Sequence, residues 1–294
     1  MGRGYPAVMA LYRLEAEVEL VAPVLVSAFE GWVDAATVGT SAANHLAGSG
    51  EIIARFDTDA LVDYRARRPP IDIVDGSMKS IEWPEIAVRR AQFERDLLVL
   101  TGPEPDYRWR RFAVDVVDLA LRLGVVEAVS LGAIPAAVPH TLPTAVLTTT
   151  TRRDLVEDGD RMPEGLLRVP GGATSLVELT LGQHGIPVVG FWAQVPHYVA
   201  GPYPEAVVAL LQRLGRHLGI DVPLGSLLDE ARAQRERLDE MVAARPEAKA
   251  YVEQLEQLVS QQQDVPSGEE IAAEVERFLR SQGGDPFGEQ GEAG

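Results

Sequence analysis

Short apolar runs that do not alternate with polar residues recur through the first 220 residues. Residues 24–29, 97–101, 128–131 and 188–193 are rich in Val, Leu and Ala. Runs of this length and character read as strands buried on both faces. Further strands are expected at 51–56, 71–74, 86–93 and 145–149. Between them lie helical patterns. Residues 112–123 place Phe112, Val116, Leu119 and Leu123 on one face, and similar patterns cover 35–46 and 204–218. Ser175, with Glu178 three residues on, reads as a capping box that opens another helix. Strands alternating with helices predict an α/β fold, with a mainly parallel or mixed sheet flanked by helices. The segments 71–74 and 86–93 flank a polar turn at 75–77 with no helix between them, which favours a mixed sheet.

The pattern changes after Pro223. Three amphipathic helices are expected, at 224–244, 247–262 and 269–281. Pro246 suits the first turn of the second, and Ser267 with Glu270 suits the start of the third. Leu255, Leu258 and Val259 form one apolar stripe; Ile271, Val275, Phe278 and Leu279 form another. Such stripes either pack back onto their own protomer or serve an interface. The organisation read from this is an α/β domain over 1–222, a C-terminal helical extension over 223–282, and a Gly- and Glu-rich tail over 283–294, expected to be disordered. No internal repeat is read along the chain.

Charge narrows the partners. The net charge is −17, and residues 221–294 carry 17 acidic and 7 basic side chains, a net of −10. Phosphate backbones and anionic lipid surfaces are poor matches, so neither nucleic acid nor a membrane is expected as partner. There is no cysteine, which removes disulfides, thiolate metal sites and a cysteine nucleophile. Glu15, Glu17 and Glu19 interrupt the early apolar run, and no stretch approaches the roughly 18–20 apolar residues of a membrane span. A soluble, cytoplasmic protein is the expectation. Phosphate-loop, His-Glu-x-x-His and Gly-x-Ser-x-Gly patterns are absent, and no cofactor is expected. Gly171-Gly172 before a helix offers at most a weak anion site.

Candidate chemistry gathers in loops. Ligands of parallel sheets bind beyond the carboxyl ends of the strands. Four expected strands run into such loops: Glu30, Trp32 and Asp34 follow the first, and Glu104, Asp106 and Trp109 the second. His140 lies in Val138-Pro139-His140 and His197 in Val195-Pro196-His197. If the strands are parallel, Glu30, Trp32, Asp34, Glu104, Asp106, His140 and His197 share one rim. Imidazoles beside carboxylates suit acid–base work or a divalent metal; equally, each histidine can bond its own loop.

These loops also carry a family pattern. Ala28-Phe29-Glu30-Gly31-Trp32-Val33-Asp34-Ala35, Thr101-Gly102-Pro103-Glu104-Pro105-Asp106 with Trp109, Gly132 through Pro143, and Trp192 through Val199 together resemble the bacterial branch of the PAC2 family, named for proteasome assembly chaperone 2. The resemblance spans roughly 20–282. It implies a phosphorylase/hydrolase-like α/β fold and a non-enzymatic assembly-chaperone-like or interaction protein. The same fold also hosts hydrolases and nucleoside phosphorylases, which leaves a small-molecule enzyme with its site at the rim as the alternative. A protein partner is expected, and so is a homo-oligomer, with a trimer as the specific expectation.

Overall fold

A computed structural model describes residues 10–263. Its main sheet has eight strands in the order β1-β3-β6-β7-β2-β8-β10-β9. They are β1 (Tyr12–Leu14), β2 (Val24–Glu30), β3 (Ile52–Phe56), β6 (Ala87–Gln92), β7 (Asp96–Pro103), β8 (Glu127–Ala136), β9 (Val146–Thr150) and β10 (Val188–Pro196). The four central strands, β7, β2, β8 and β10, are mutually parallel. The outer pairs are antiparallel, so the sheet is mixed with a parallel heart.

The unalternating runs follow from what covers each face. In β2, Val24, Val26 and Ala28 join a core with α1 (Val38–Ala47) and α5 (Pro204–Leu218). Leu25 and Phe29 point the other way, into a core with α3 (Trp109–Arg122) and α4 (Ala173–Gln183). With both faces apolar, nearly every buried position of the strand selects a hydrophobic side chain, Ser27 being the exception. The four segments expected as central strands are all in this parallel heart.

Two expectations are corrected. The strand at 71–74 does not pair with 86–93. β4 (Ile71–Val74) and β5 (Ser77–Ile81) form a separate two-stranded hairpin. Asp75 and Gly76 both have positive φ, 51° and 74°, which is what a two-residue hairpin turn requires and what an Asp-Gly pair provides. Ser175 does not open α4 either. The helix starts at Ala173, with Gly172 as a cap that has no side chain to offer, and Ser175 and Glu178 lie inside it. A carboxylate from elsewhere takes the capping role, as described below.

The chain divides into two compact units, one ending at Met241 and one starting at Val242. The helix α6 (Leu227–Ala243), nearly all of it in the first unit, buries no residue fully, although Leu227 and Leu238 pack against the α1/α5 core. In the second, α7 (Pro246–Gln263) has Val252 and Leu255 buried. Leu258, expected in the stripe, is 44% exposed. Val252, Leu255 and Val259 share the buried face through i, i+3, i+7 spacing, and Leu258 falls outside it. The expected helix at 269–281, its cap and the tail lie outside the described residues. Among the described residues no helix is long and apolar enough to cross a membrane.

Candidate functional site: a braced rim

Parallel packing of β7, β2, β8 and β10 sends their carboxyl ends to one edge. Glu30 sits opposite Pro103, and Ala136 opposite Pro196, so neighbouring strands end level. The loops carrying Trp32, Glu104, His140 and His197 therefore leave one rim.

Glu104 ties this rim together. Its Oε1 accepts the Ala173 N–H at 2.6 Å, capping α4 from 69 residues away. Its Oε2 lies 3.4 Å from the Trp32 N–H. A carboxylate at a helix N-terminus satisfies an orphan donor and complements the helix dipole. The Gly171-Gly172 turn thus already has its anion, and the anion is the protein's own. Close approach explains the glycines: a Cβ on Gly31 would fall 2.6 Å from Oε2, and one on Gly172 2.7 Å from Oε1. Glu104→Ala is expected to cost about 1–2 kcal/mol, with faster amide exchange confined to the first turn of α4 and to residues 31–34. Exchange spread evenly over the molecule would contradict the clamp.

Asp34 and Asp106 are engaged as well. Asp34 is buried and accepts the Thr40 hydroxyl at 2.5 Å and the Thr40 N–H at 3.1 Å. Burial raises its pKa, partly offset by these donors and the Gly39 N–H. Asp106 accepts the Asp63 N–H at 2.7 Å and lies 3.7 Å from the Arg67 guanidinium. Glu30 contributes its backbone carbonyl to Glu104 N–H and to Arg67, while the residue itself is exposed. Trp32 is 65% exposed.

The two histidines do not converge on a common point of chemistry. His140 is buried. Its backbone N–H donates to the Tyr198 hydroxyl at 2.7 Å, and its Nδ1 lies 2.7 Å from the same oxygen. The Asp239 carboxylate, 3.2 Å from Nε2, can only accept, so Nε2 carries the proton, and in the neutral ring Nδ1 accepts from the Tyr198 hydroxyl. His197 donates Nδ1–H to the Ala136 carbonyl at 3.1 Å, and its backbone N–H donates to that same carbonyl. Each imidazole braces a Val-Pro-His loop. Sequence reasoning missed Tyr198 and Asp239, which hold His140, although Tyr198 directly follows the second Val-Pro-His.

It also missed Glu178, which projects from α4 toward Ser130 of β8. Burial pushes this carboxyl up to about 7, with only the Ser130 hydroxyl lowering it. Its Oε1 is buried without a hydrogen-bond partner. Ser130 in turn lies 3.2 Å from Ser27. The helical position of Glu178, read as a cap partner, hid its inward direction.

Two cavities border the outer strands of the sheet. One of about 760 Å³ borders β1 and β3, between Tyr12, Phe56, Tyr64 and Trp83. One of about 370 Å³ lies between the end of α1 and the β6–β7 turn. Among the described residues, no three His, Asp or Glu side chains are gathered in a way that could hold a metal ion.

The comparisons with known proteins agree with the loop pattern. The model of the PAC2 family matches residues 28–242. A Mycobacterium tuberculosis protein of unknown function is 34% identical, with a TM-score of 0.80 over 95% of this chain and 96% of that one. A proteasome-assembly chaperone homologue, also from M. tuberculosis, is 34% identical, with a TM-score of 0.72 over 78% of this chain and 99% of that one. A PAC2 family protein from Streptomyces avermitilis is 37% identical, with a TM-score of 0.70 over 78% and 99%. No curated protein matches. With nearly three quarters of its length matched by the family model and its loops, sheet order and rim in place, the chain belongs to the PAC2 family.

Proposed function

We propose that this chain is a non-enzymatic, oligomeric protein that acts on protein partners in the manner of an assembly chaperone. The observation that carries the reading is the state of the rim. Glu104 caps a helix, Asp34 holds Thr40, and His140 and His197 brace their own loops. Such engaged groups make a stiff platform rather than a reactive centre. Around them Trp32 and Tyr107 stand exposed, and exposed aromatics on a rigid base suit protein contacts. A relative 34% identical is described as a proteasome-assembly chaperone homologue, which supports proteasome subunits as the partner class. The reading includes a cytoplasmic location and a homotrimer. No observation favours the hydrolase or phosphorylase alternative.

Native mass spectrometry of the purified chain mixed with proteasome subunits from the same cells tests this. A defined complex is expected, weakened at least about tenfold by Trp32→Ala. Absence of any complex at micromolar concentrations would contradict the reading.

A further inference from the structure

Two short segments repeat one pattern: Asp63-Tyr64-Arg65-Ala66-Arg67-Arg68 and Asp106-Tyr107-Arg108-Trp109-Arg110-Arg111. They are six residues each, too short to register as a domain-scale repeat, and the fold places them side by side. The Asp63 N–H donates to Asp106 Oδ2 at 2.7 Å. The Asp106 and Tyr107 N–H groups both donate to the Leu61 carbonyl, at 2.8 and 3.1 Å. The Tyr107 hydroxyl bonds Asp63. Each segment's aspartate is thus used to fasten the other segment.

The arginines divide into two groups. Arg67 donates to the Glu30 and Glu104 carbonyls, and Arg111 pairs with Asp115 at 2.8 Å. Arg67 holds the paired segments to the rim, and Arg111 is taken up by an ion pair within α3. Arg65, Arg68, Arg108 and Arg110 are exposed. Among the described residues, the side chains of Arg68, Arg108 and Arg110 make no hydrogen bond or ion pair. Arg108 also holds a left-handed backbone, φ 57°, at the cap of α3. A non-glycine residue there costs on the order of 1 kcal/mol. Tyr107 is 51% exposed beside it. The Trp109 indole is fastened to the Pro105 carbonyl. Trp32 joins the same surface through Glu104.

We propose that these paired segments form a cationic, aromatic-edged docking surface for the acidic C-terminal segment, residues 242–294, of a second copy of this chain. The proposal rests on the oligomeric reading given above and supplies its contact. Charge complementarity argues for this occupant. Residues 242–294 carry 11 acidic and 4 basic side chains, a net of −7, and α7 also exposes Leu258. Arginine forks take carboxylates two hydrogen bonds at a time, and Trp and Tyr beside Arg are the side chains that concentrate binding energy at interfaces. A polyphosphate strand would meet the same arginines, and the oligonucleotide arm of the test separates it from the acidic segment. A contact between two different surfaces of the same chain is head-to-tail and closes into a ring when the rotation permits. A trimer is such a ring.

Light scattering on the full chain at micromolar concentration tests the idea, with circular dichroism as the fold control. The wild-type oligomer is expected to dissociate as salt is raised from about 0.05 to 0.5 M. R65E/R68E/R108E/R110E is expected to weaken assembly at least about tenfold at low salt. R68E/R110E, which leaves the strained cap untouched, should act in the same direction by less. Adding E247K/E253K/E256K to the four reversals should recover assembly. An oligomer unchanged by the reversals in a folded chain overturns the docking proposal and leaves the oligomeric reading standing. A wild type that is monomeric at every concentration overturns the oligomeric reading itself. A reversed chain that keeps its oligomer but loses binding to a short single-stranded oligonucleotide would reassign the surface to nucleic acid.

Discussion

Arg213→Ala is expected to destabilise the protein by about 3–5 kcal/mol, the usual cost of stranding one partner of a buried ion pair. Arg213 lies on α5 with 4% of its side chain exposed, and Asp160 has 7%. The pairing is two-pronged, Nε to Oδ1 at 2.8 Å and Nη2 to Oδ2 at 2.7 Å. The guanidinium carbon also sits 4.3 Å from the centre of the Phe191 ring, a cation–π contact. Truncation leaves the Asp160 carboxylate buried with no counter-charge. At about 2–4 °C per kcal/mol for a chain of this size, the midpoint of melting should fall by roughly 6–20 °C. The double change D160N/R213M removes both charges and should recover part of the loss. A fall in stability below about 1 kcal/mol would show that the pair is not buried as described.

The pair also has a pH signature. Burial pushes the Asp160 carboxyl up, but the Arg213 hydrogen bonds and charge, with the Glu157 N–H and the Thr148 hydroxyl, together outweigh it and leave its pKa lowered. A depressed carboxyl gives stability that is present above the unfolded pKa and is lost as pH falls through the folded one. This contribution disappears only in acid.

Glu178 carries the opposite sign. Its carboxyl, held near 7 by burial, stays protonated in the folded chain where the unfolded chain has already ionised. The folded state then binds more protons, so stability falls as pH rises from about 4.5 to about 7 and is level above that. The span corresponds to at most about 3 kcal/mol. Glu178→Gln is expected to flatten this slope, raising stability by about 1–3 kcal/mol at pH 8 and leaving it nearly unchanged at pH 4. Urea titrations at the two pH values decide the matter. Equal effects at both would mean that the carboxyl is not buried without a charge partner.

The residues explain how much of this could be read beforehand. β2, β7, β8 and β10 are legible because a strand covered on both faces admits almost no polar residue. Parallel order then places Trp32, Glu104, His140 and His197 on one edge without any coordinates. The elements missed, β1 and the one-turn helix α2 (Thr58–Leu61), are too short to show a period. The Asp75-Gly76 hairpin did carry its turn signal, but the apolar residues of β5 are separated by Lys79 and Ser80, which masked the strand. The side-chain chemistry was hardest to foresee. That Glu104 caps α4, or that Asp239 on α6 reaches His140, depends on distances closed across 69 and 99 residues. No local pattern encodes such a partner. The inward turn of Glu178 has the same origin, since only the packing of α4 on the sheet decides which face of the helix is buried.

The most direct test of a chaperone-like role is a time course of proteasome assembly from its separate subunits, with and without this chain at substoichiometric amounts. The account predicts faster appearance of assembled particles, no change in their final composition, and loss of the acceleration in Trp32→Ala. An unaltered time course, with the chain folded and the subunits competent to assemble, would contradict it.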